Sequence, residues 1–129
     1  MNTKVLLIAS TFFLGLSGAS LTFLPNEIIF KLNIVPNPLS TLTFQLLGAL
    51  FLGFAMLNWM NKDGLICGIY SKPLVVGNFM HFGVGVMALV KIISIVELHS
   101  VIIITLTIIY AVFAILFAYV FRTNPSQIE

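Results

Sequence analysis

Residues 101–121 read VIIITLTIIYAVFAILFAYVF, a stretch of 21 residues without a charged side chain. At about 1.5 Å per residue, a helix of this length covers roughly 32 Å, slightly more than the hydrocarbon core of a bilayer. Inside lipid the backbone must satisfy its own hydrogen bonds, and a helix does so within one segment. The stretch therefore predicts a transmembrane helix from about Val101 to Phe121.

Three further apolar stretches of similar length precede this one. They run from about Val5 to Leu24, from Leu39 to Trp59 and from Leu74 to Ile95. Prolines and polar residues separate them, and none shows the polar–apolar alternation of a membrane β-strand. Short loops make sequential spans antiparallel. The sequence therefore predicts an all-α integral membrane protein, a four-helix up-down bundle that forms one transmembrane domain over residues 1–129.

The overall composition supports a bilayer as the solvent of this chain. Of its 129 residues, 60% are hydrophobic and only 8% are charged, whereas a soluble domain carries about a quarter charged residues. The net charge of +2 is small and dispersed, which argues against a nucleic-acid partner. Cys67 is the only cysteine, so an intramolecular disulfide and a thiol redox pair are both excluded.

The first apolar stretch has a second interpretation as a secretory signal peptide. Lys4 precedes an apolar run, and the small residues Ser17 to Ser20 resemble a cleavage site. The apolar run continues through Leu21 to Leu24, which makes it long for the core of a signal peptide. We therefore expect a retained first span rather than a cleaved one.

The segment between the first two spans predicts a short helix at the membrane interface. Pro25 suits the first position of a helix, and Glu27 and Lys31 stand four residues apart, as an ion pair on a helix requires. Apolar residues surround them, which favours a helix lying in the interface over residues 25–34. A simple turn that reaches the next span is the alternative.

The distribution of basic residues predicts the orientation. If the spans alternate in direction, four basic residues lie on one side and two on the other. The first group is Lys4, Lys62, Lys72 and Arg122, and the second is Lys31 and Lys91. Because cytoplasmic loops carry the excess of lysine and arginine, both termini are expected in the cytoplasm.

Small residues spaced by three or four positions predict the helix contact faces. Within lipid, helices associate by close packing, which small side chains allow. The residues assigned to these faces are Gly15, Gly18, Gly48, Gly53, Gly77, Gly85, Ala111 and Ala114. The same residues suit contacts within the bundle and contacts between copies of the chain, and both uses stay open.

Four polar residues inside the spans are the candidates for a ligand site: Gln45, Asn58, Asn78 and His81. The last three are predicted to form a polar layer between the second and third spans. Such a layer serves either as a ligand, proton or ion site or as a hydrogen-bonded clamp between helices. The clamp is favoured because no carboxylate inside the membrane accompanies His81.

Catalytic, metal and cofactor sites are not indicated. Glu97 and His99 are too few for a zinc or iron site. Paired haem ligation requires two histidines at matching depth, and His81 and His99 differ in depth by half a helix. No paired carboxylates or nucleophile–histidine arrangement occurs in the spans. An enzyme is therefore disfavoured, and neither a cofactor nor a metal is predicted.

Parts of the second and third spans resemble known sequences. The segments Gln45 to Ala49, Leu57 to Trp59 and Gly68 to Phe82 are similar to a group of small uncharacterised bacterial four-span proteins and, more loosely, to DoxX-like membrane proteins. The resemblance implies a four-helix fold in a bacterial inner membrane and implies no established activity. It directs attention to the loop from Asn61 to Pro73 that leads to Asn78 and His81.

Three functions remain open at this stage. The favoured one is a scaffold or accessory subunit that acts through helix–helix contacts with a membrane-protein partner. The second is a homo-oligomeric transporter of a small solute or ion that uses the polar layer around His81. The third is a lipid- or quinone-linked enzyme or electron carrier. In all three the lipid bilayer is the surrounding medium.

Overall fold

The computed structural model describes residues 3–63, 71–93, 95 and 100–123, and this part of the chain contains five helices and no strand. The helices are α1 (Thr3–Phe23), α2 (Pro25–Lys31), α3 (Pro38–Asn61), α4 (Ser71–Ile93) and α5 (Ser100–Thr123). All except α2 are long and apolar enough to cross a membrane. The predicted all-α fold with four spans is confirmed, and each span begins and ends within a few residues of its predicted bounds.

The chain forms two compact units, which divide between Asp63 and Gly64. The first, here called the first hairpin, consists of α1, α2 and α3. The second hairpin consists of α4 and α5. Each hairpin has its own packed interface, and the sequence pattern that produces the interface differs between the two.

In the first hairpin α1 and α3 are antiparallel, as the short connection between them predicts. Gly18 faces Gly48, and nearer the start of α1 the side chain of Ser10 contacts Asn58. At the end of the hairpin, Lys4 Nζ lies 2.6 Å from a carboxylate oxygen of Asp63. Residues near the start of α1 therefore contact residues near the end of α3.

The contact between Gly18 and Gly48 brings the two backbones together. A Cβ atom on Gly18 would lie 2.9 Å from the carbonyl oxygen of Gly48, and one on Gly48 would lie 2.8 Å from the carbonyl oxygen of Gly18. Carbon atoms do not approach carbonyl oxygens this closely without displacement of a helix. Glycine is thus required at both positions, as the small-residue pattern predicts.

The connection between α1 and α3 contains the predicted short helix. Pro25 begins α2 at a position where its missing N–H is harmless, and Ile29 anchors the helix with a fully buried side chain. Asn33 ends the turn in the left-handed conformation, with φ of 54°, which asparagine tolerates better than most residues. The helix is confirmed over 25–31; the ion pair expected between Glu27 and Lys31 is absent from this described segment.

The start of α3 is fixed by a capping box. The Asn37 side-chain oxygen accepts a hydrogen bond from the backbone N–H of Ser40 at 2.7 Å, and the Ser40 hydroxyl oxygen accepts one from the N–H of Asn37 at 3.1 Å. These two bonds satisfy donors that a helix start leaves free. Thr41 then donates to the Asn26 side chain at 3.1 Å, which joins α3 to α2.

In the second hairpin, aromatic side chains fill the interface between α4 and α5. Phe82 is completely buried and stacks on Phe113 and Phe117, with ring centroids 4.9 and 5.9 Å away. Gly85, one turn further along α4, lies against the Tyr110 ring, where an added Cβ would be 2.6 Å from Tyr110 Cδ1. The helices are antiparallel here too, because Gly85 meets an earlier part of α5 than Phe82 does.

The outer surfaces of the long helices are apolar, in agreement with a bilayer environment. On α5, Val101, Ile108 and Ile115 recur every seven residues and are 75%, 59% and 68% exposed. A row of exposed aliphatic side chains of this length is unfavourable in water and favourable in lipid. The protein is therefore a multi-pass helical membrane protein.

Glycine-to-leucine substitutions in the first hairpin test the close backbone contact. Gly18→Leu should lower the free energy of unfolding of the purified protein by about 1–3 kcal/mol, because the side chain would collide with the α3 backbone. Gly53→Leu is the matched control in the same hairpin, since a Cβ there meets nothing within 4 Å. Thermal unfolding in detergent, followed by circular dichroism, measures both. Equal stability of the two variants would contradict the packing.

Candidate functional site

Asn58 joins the two long helices of the first hairpin. Its side chain is completely buried, and Nδ2 donates a hydrogen bond to the hydroxyl oxygen of Ser10 at 3.0 Å. Ser10, also completely buried, donates its own proton to the carbonyl oxygen of Leu7 at 3.0 Å. A polar chain thus runs from α3 to the α1 backbone, so Asn58 clamps the second span to the first, whereas the sequence predicts its clamp with the third span.

A second polar contact lies beside this clamp. The Thr11 hydroxyl donates to the carbonyl oxygen of Leu7 at 2.8 Å and lies 3.3 Å from the carbonyl oxygen of Ala55 on α3. The sequence analysis does not single out Ser10. The missed signal is periodicity, because Ser10, Leu14 and Gly18 are spaced by four and all three are buried.

The two polar candidates on α4 have partners inside the second hairpin. Asn78 is completely buried, and its Nδ2 donates to the carbonyl oxygen of Leu74 at 2.9 Å, one turn back on the same helix. His81 Nε2 lies 3.5 Å from the Tyr110 hydroxyl, a long contact between α4 and α5. The layer predicted to join these residues to Asn58 involves both hairpins and stays a prediction.

The aromatic surroundings of His81 were not predicted. Its ring centroid lies 5.1 Å from that of Phe82 and 5.7 Å from that of Tyr110. Tyr110 is buried, and its ring occupies the space that Gly85 leaves open. Tyr110 carries a polar hydroxyl near the middle of an apolar span, opposite a helix that contains Gly85, and the sequence analysis did not use this signal.

Gln45 differs from the other polar candidates because its side chain is exposed and makes no hydrogen bond among the described residues. It lies on α3 four residues before Ala49 and eight before Gly53, both of which are also exposed. These three positions form one strip along the helix, here called the Gln45 face. The face combines a polar amide with two small residues.

Most of the predicted packing residues lie in contacts between helices of their own hairpin, and one does not. Gly15, Gly18 and Gly48 lie in the interface of α1 and α3, and Gly85 lies against α5. Gly77, Ala111 and Ala114 are half-buried in the second hairpin. Gly53 is the exception, because a Cβ atom built on it meets open space. The first hairpin therefore holds a small residue that its own packing does not need.

Charged residues gather at the end of the first hairpin where α1 begins and α3 ends. Asp63 lies 2.6 Å from Lys4 Nζ and 3.4 Å from Lys62 Nζ. Hydrogen bonds from Lys4 and then Lys62 hold the pKa of Asp63 below its usual value. The ammonium of Lys62 also lies 3.9 Å from the centroid of the Trp59 ring. This group of four residues is called the basic end.

An open groove of about 420 Å³ lies on one flank of the first hairpin, between α1 and α3. Gly15 and Ala55 form its floor, where the absence of long side chains leaves space. Most of the remaining lining is apolar, and Trp59 and Phe12 meet edge to face at one end with centroids 6.5 Å apart. The groove has room for a hydrocarbon chain and offers little to a polar solute.

Several sequence candidates fall outside the described residues, namely Cys67, Glu97 and His99. Within residues 3–63, 71–93, 95 and 100–123, no three histidine, cysteine, aspartate or glutamate side chains come together in a way that would hold a metal ion.

Comparison with known proteins finds no matching family model, no matching curated protein and no matching solved structure. The class of the molecule is given by its own helices: it is a multi-pass helical membrane protein. The similarity to DoxX-like proteins stays a prediction.

A double-mutant cycle tests whether Asn58 acts as a clamp. Asn58→Ala and Ser10→Ala should each lower the free energy of unfolding, and together they should cost less than the sum, with a coupling energy of about 0.6 kcal/mol. Unfolding in mixed micelles of mild detergent and dodecyl sulfate provides the four free energies. Strict additivity would show that the two side chains do not interact and would contradict the clamp.

Proposed function

We propose that this protein is a scaffold or accessory subunit that binds a transmembrane helix of another membrane protein through its Gln45 face. The observation that carries the proposal is the contrast within α3. Gly48 and Asn58 are used by α1, whereas Gln45, Ala49 and Gly53 are exposed. One face of α3 thus packs against α1, and the Gln45 face, which also carries small residues, is exposed.

At the position of Gln45, a side chain without hydrogen bonds is unfavourable in free energy. It lies seven residues into α3, or about 10 Å along the axis, at a depth where water is scarce. A primary amide in hydrocarbon loses hydrogen bonds that lipid tails cannot replace. A partner helix that supplies a donor or acceptor would restore them, and glutamine is among the residues that associate spans in this way.

The rest of the Gln45 face supplies the space for such a partner. Ala49 and Gly53 are four residues apart, a spacing at which small side chains allow two helix backbones to approach closely. Nothing lies within 4 Å of a Cβ placed on Gly53. The partner that fits is therefore an apolar helix that carries small residues and one polar side chain at the depth of Gln45.

The charge distribution supports an orientation for this assembly. We propose a bacterial inner membrane, which the resemblance of the second and third spans implies, with both termini in the cytoplasm, because four of six basic residues would then lie on the cytoplasmic side. Within the first hairpin, Lys4 and Lys62 share one end, as this orientation requires. Lys31 lies on α2, near the opposite end.

Substitutions on the Gln45 face test the function. Gln45→Leu and Gly53→Leu should each remove a stoichiometric membrane-protein partner from the tagged protein purified out of its own membranes, while the fold is kept. Gly83→Leu is the matched control, because Gly83 lies in another span and its added Cβ also has room, the nearest atom being 4.0 Å away. The readouts are the partner-to-bait ratio on a stained gel and thermal stability.

Three results are informative in this experiment. Loss of the same partner in both face variants and its retention in Gly83→Leu support the proposal. Retention in all three contradicts it. Purification of the wild-type chain as a pure homo-oligomer that both face variants dissociate would also contradict the accessory role, since the face would then bind a second copy.

A further inference from the structure

The groove of the first hairpin has the position and dimensions of a lipid-binding site. Its lining runs from Leu52 to Trp59 on α3, which is about 10 Å along the helix axis. One leaflet of a bilayer contributes about 15 Å of hydrocarbon. The groove therefore follows roughly two thirds of the depth that one acyl chain occupies.

Both helices that form the groove are membrane spans, so the groove lies at the depth of the hydrocarbon. Its floor is Gly15 and Ala55, with Cβ positions 3.8 Å apart, so the floor itself is closely packed. Larger side chains, including Leu16 and Met56, rise on either side. The resulting shape is a channel between two apolar walls, which an extended chain of methylene groups can fill by dispersion contacts.

The basic end lies at the same end of the groove as Trp59. Trp59 lines the groove, and Lys62 lies directly over its ring. Lys4 and Lys62 share the single carboxylate of Asp63, which is the only acidic residue at this end within residues 3–63. Among residues 3–63, this end therefore has two cations and one anion, and the side chains of Lys4 and Asp63 are 53% and 61% exposed.

We propose that the first hairpin binds an anionic phospholipid, with one acyl chain in the groove and the phosphate at Lys62 and Lys4. The apolar groove accounts for the chain, and the unbalanced basic end accounts for the charge of the headgroup. Tryptophan and lysine are the side chains that occupy the headgroup level of membrane proteins. This lipid lies between α1 and α3, further along α3 than Gln45, and Leu52 and Met56 of its lining adjoin Gly53 at the end of the Gln45 face.

Trp59 allows a direct measurement because it is the only tryptophan in the chain. The full-length protein is reconstituted into vesicles of equal parts phosphatidylglycerol and phosphatidylcholine. Dibrominated acyl chains, which quench tryptophan fluorescence on contact, are placed on one lipid class or on the other. The composition and charge of the bilayer stay constant, so a difference in quenching reports which lipid lies beside Trp59.

The wild-type protein should be quenched more by brominated phosphatidylglycerol than by brominated phosphatidylcholine. Lys62→Gln should reduce the anionic preference about fivefold, the effect expected for one lysine near a membrane surface. Gly15→Leu, which fills the groove, should also reduce it. Lys31→Gln is the matched control, because it removes one positive charge from the far part of the same hairpin and should leave the preference unchanged.

Equal quenching by the two lipids in the wild-type protein would overturn the proposal. So would a preference that survives both Lys62→Gln and Lys4→Gln, because the charge would then not act through the basic end. If both lysine variants lose the preference for the anionic lipid but Gly15→Leu keeps it, the acyl chain does not lie in the groove, and this part of the proposal is overturned. Each variant is compared with itself in the two vesicle preparations, so a change in its intrinsic fluorescence does not affect the ratio.

Discussion

The backbone contact between Gly18 and Gly48 is the constraint on which the rest of the first hairpin depends. Helices in lipid gain no hydrophobic energy by leaving one apolar surrounding for another, so their association depends on close packing and on hydrogen bonds. The two glycines set how closely α1 approaches α3 and fix the register between them. That register places Ser10 beside Asn58 and Lys4 beside Asp63. The clamp, the basic end and the groove all follow from one contact.

The sequence predicts the spans well because their length is dictated by the thickness of a bilayer. It also assigns Gly18, Gly48 and Gly85 to contact faces, where the structure places them. It does not distinguish the two sides of α3. Gly48 and Gly53 are five residues apart, so they lie about 140° apart around the helix. A pattern of small residues indicates that helices come close there, but the identity of the neighbour depends on tertiary packing, which one sequence does not encode in its spacing.

The polar residues inside the spans differ in whether the fold provides a hydrogen-bond partner for their side chains. Asn58 and Asn78 are completely buried and hydrogen-bonded within their own hairpins. Sequence reasoning recognised both amides but not the hydroxyl of Ser10, because serine in a helix is usually satisfied by its own backbone. Gln45 is the polar candidate whose side chain is exposed and makes no hydrogen bond among the described residues. This difference is the basis of the proposed contact between the Gln45 face and a partner helix.

Disulfide formation measures the geometry of the first hairpin most directly. Cys67 is the only native cysteine, so a Cys67→Ser background leaves no competing thiol. Gly15→Cys combined with Ala55→Cys places two Cβ atoms 3.8 Å apart, the usual separation across a disulfide. Mild oxidation in membranes should therefore produce an intramolecular bond, seen as a mobility shift on a non-reducing gel, and Gly15→Cys with Gly53→Cys should not. Failure of the first pair, or equal bonding in both pairs, would contradict the packing of α1 on α3.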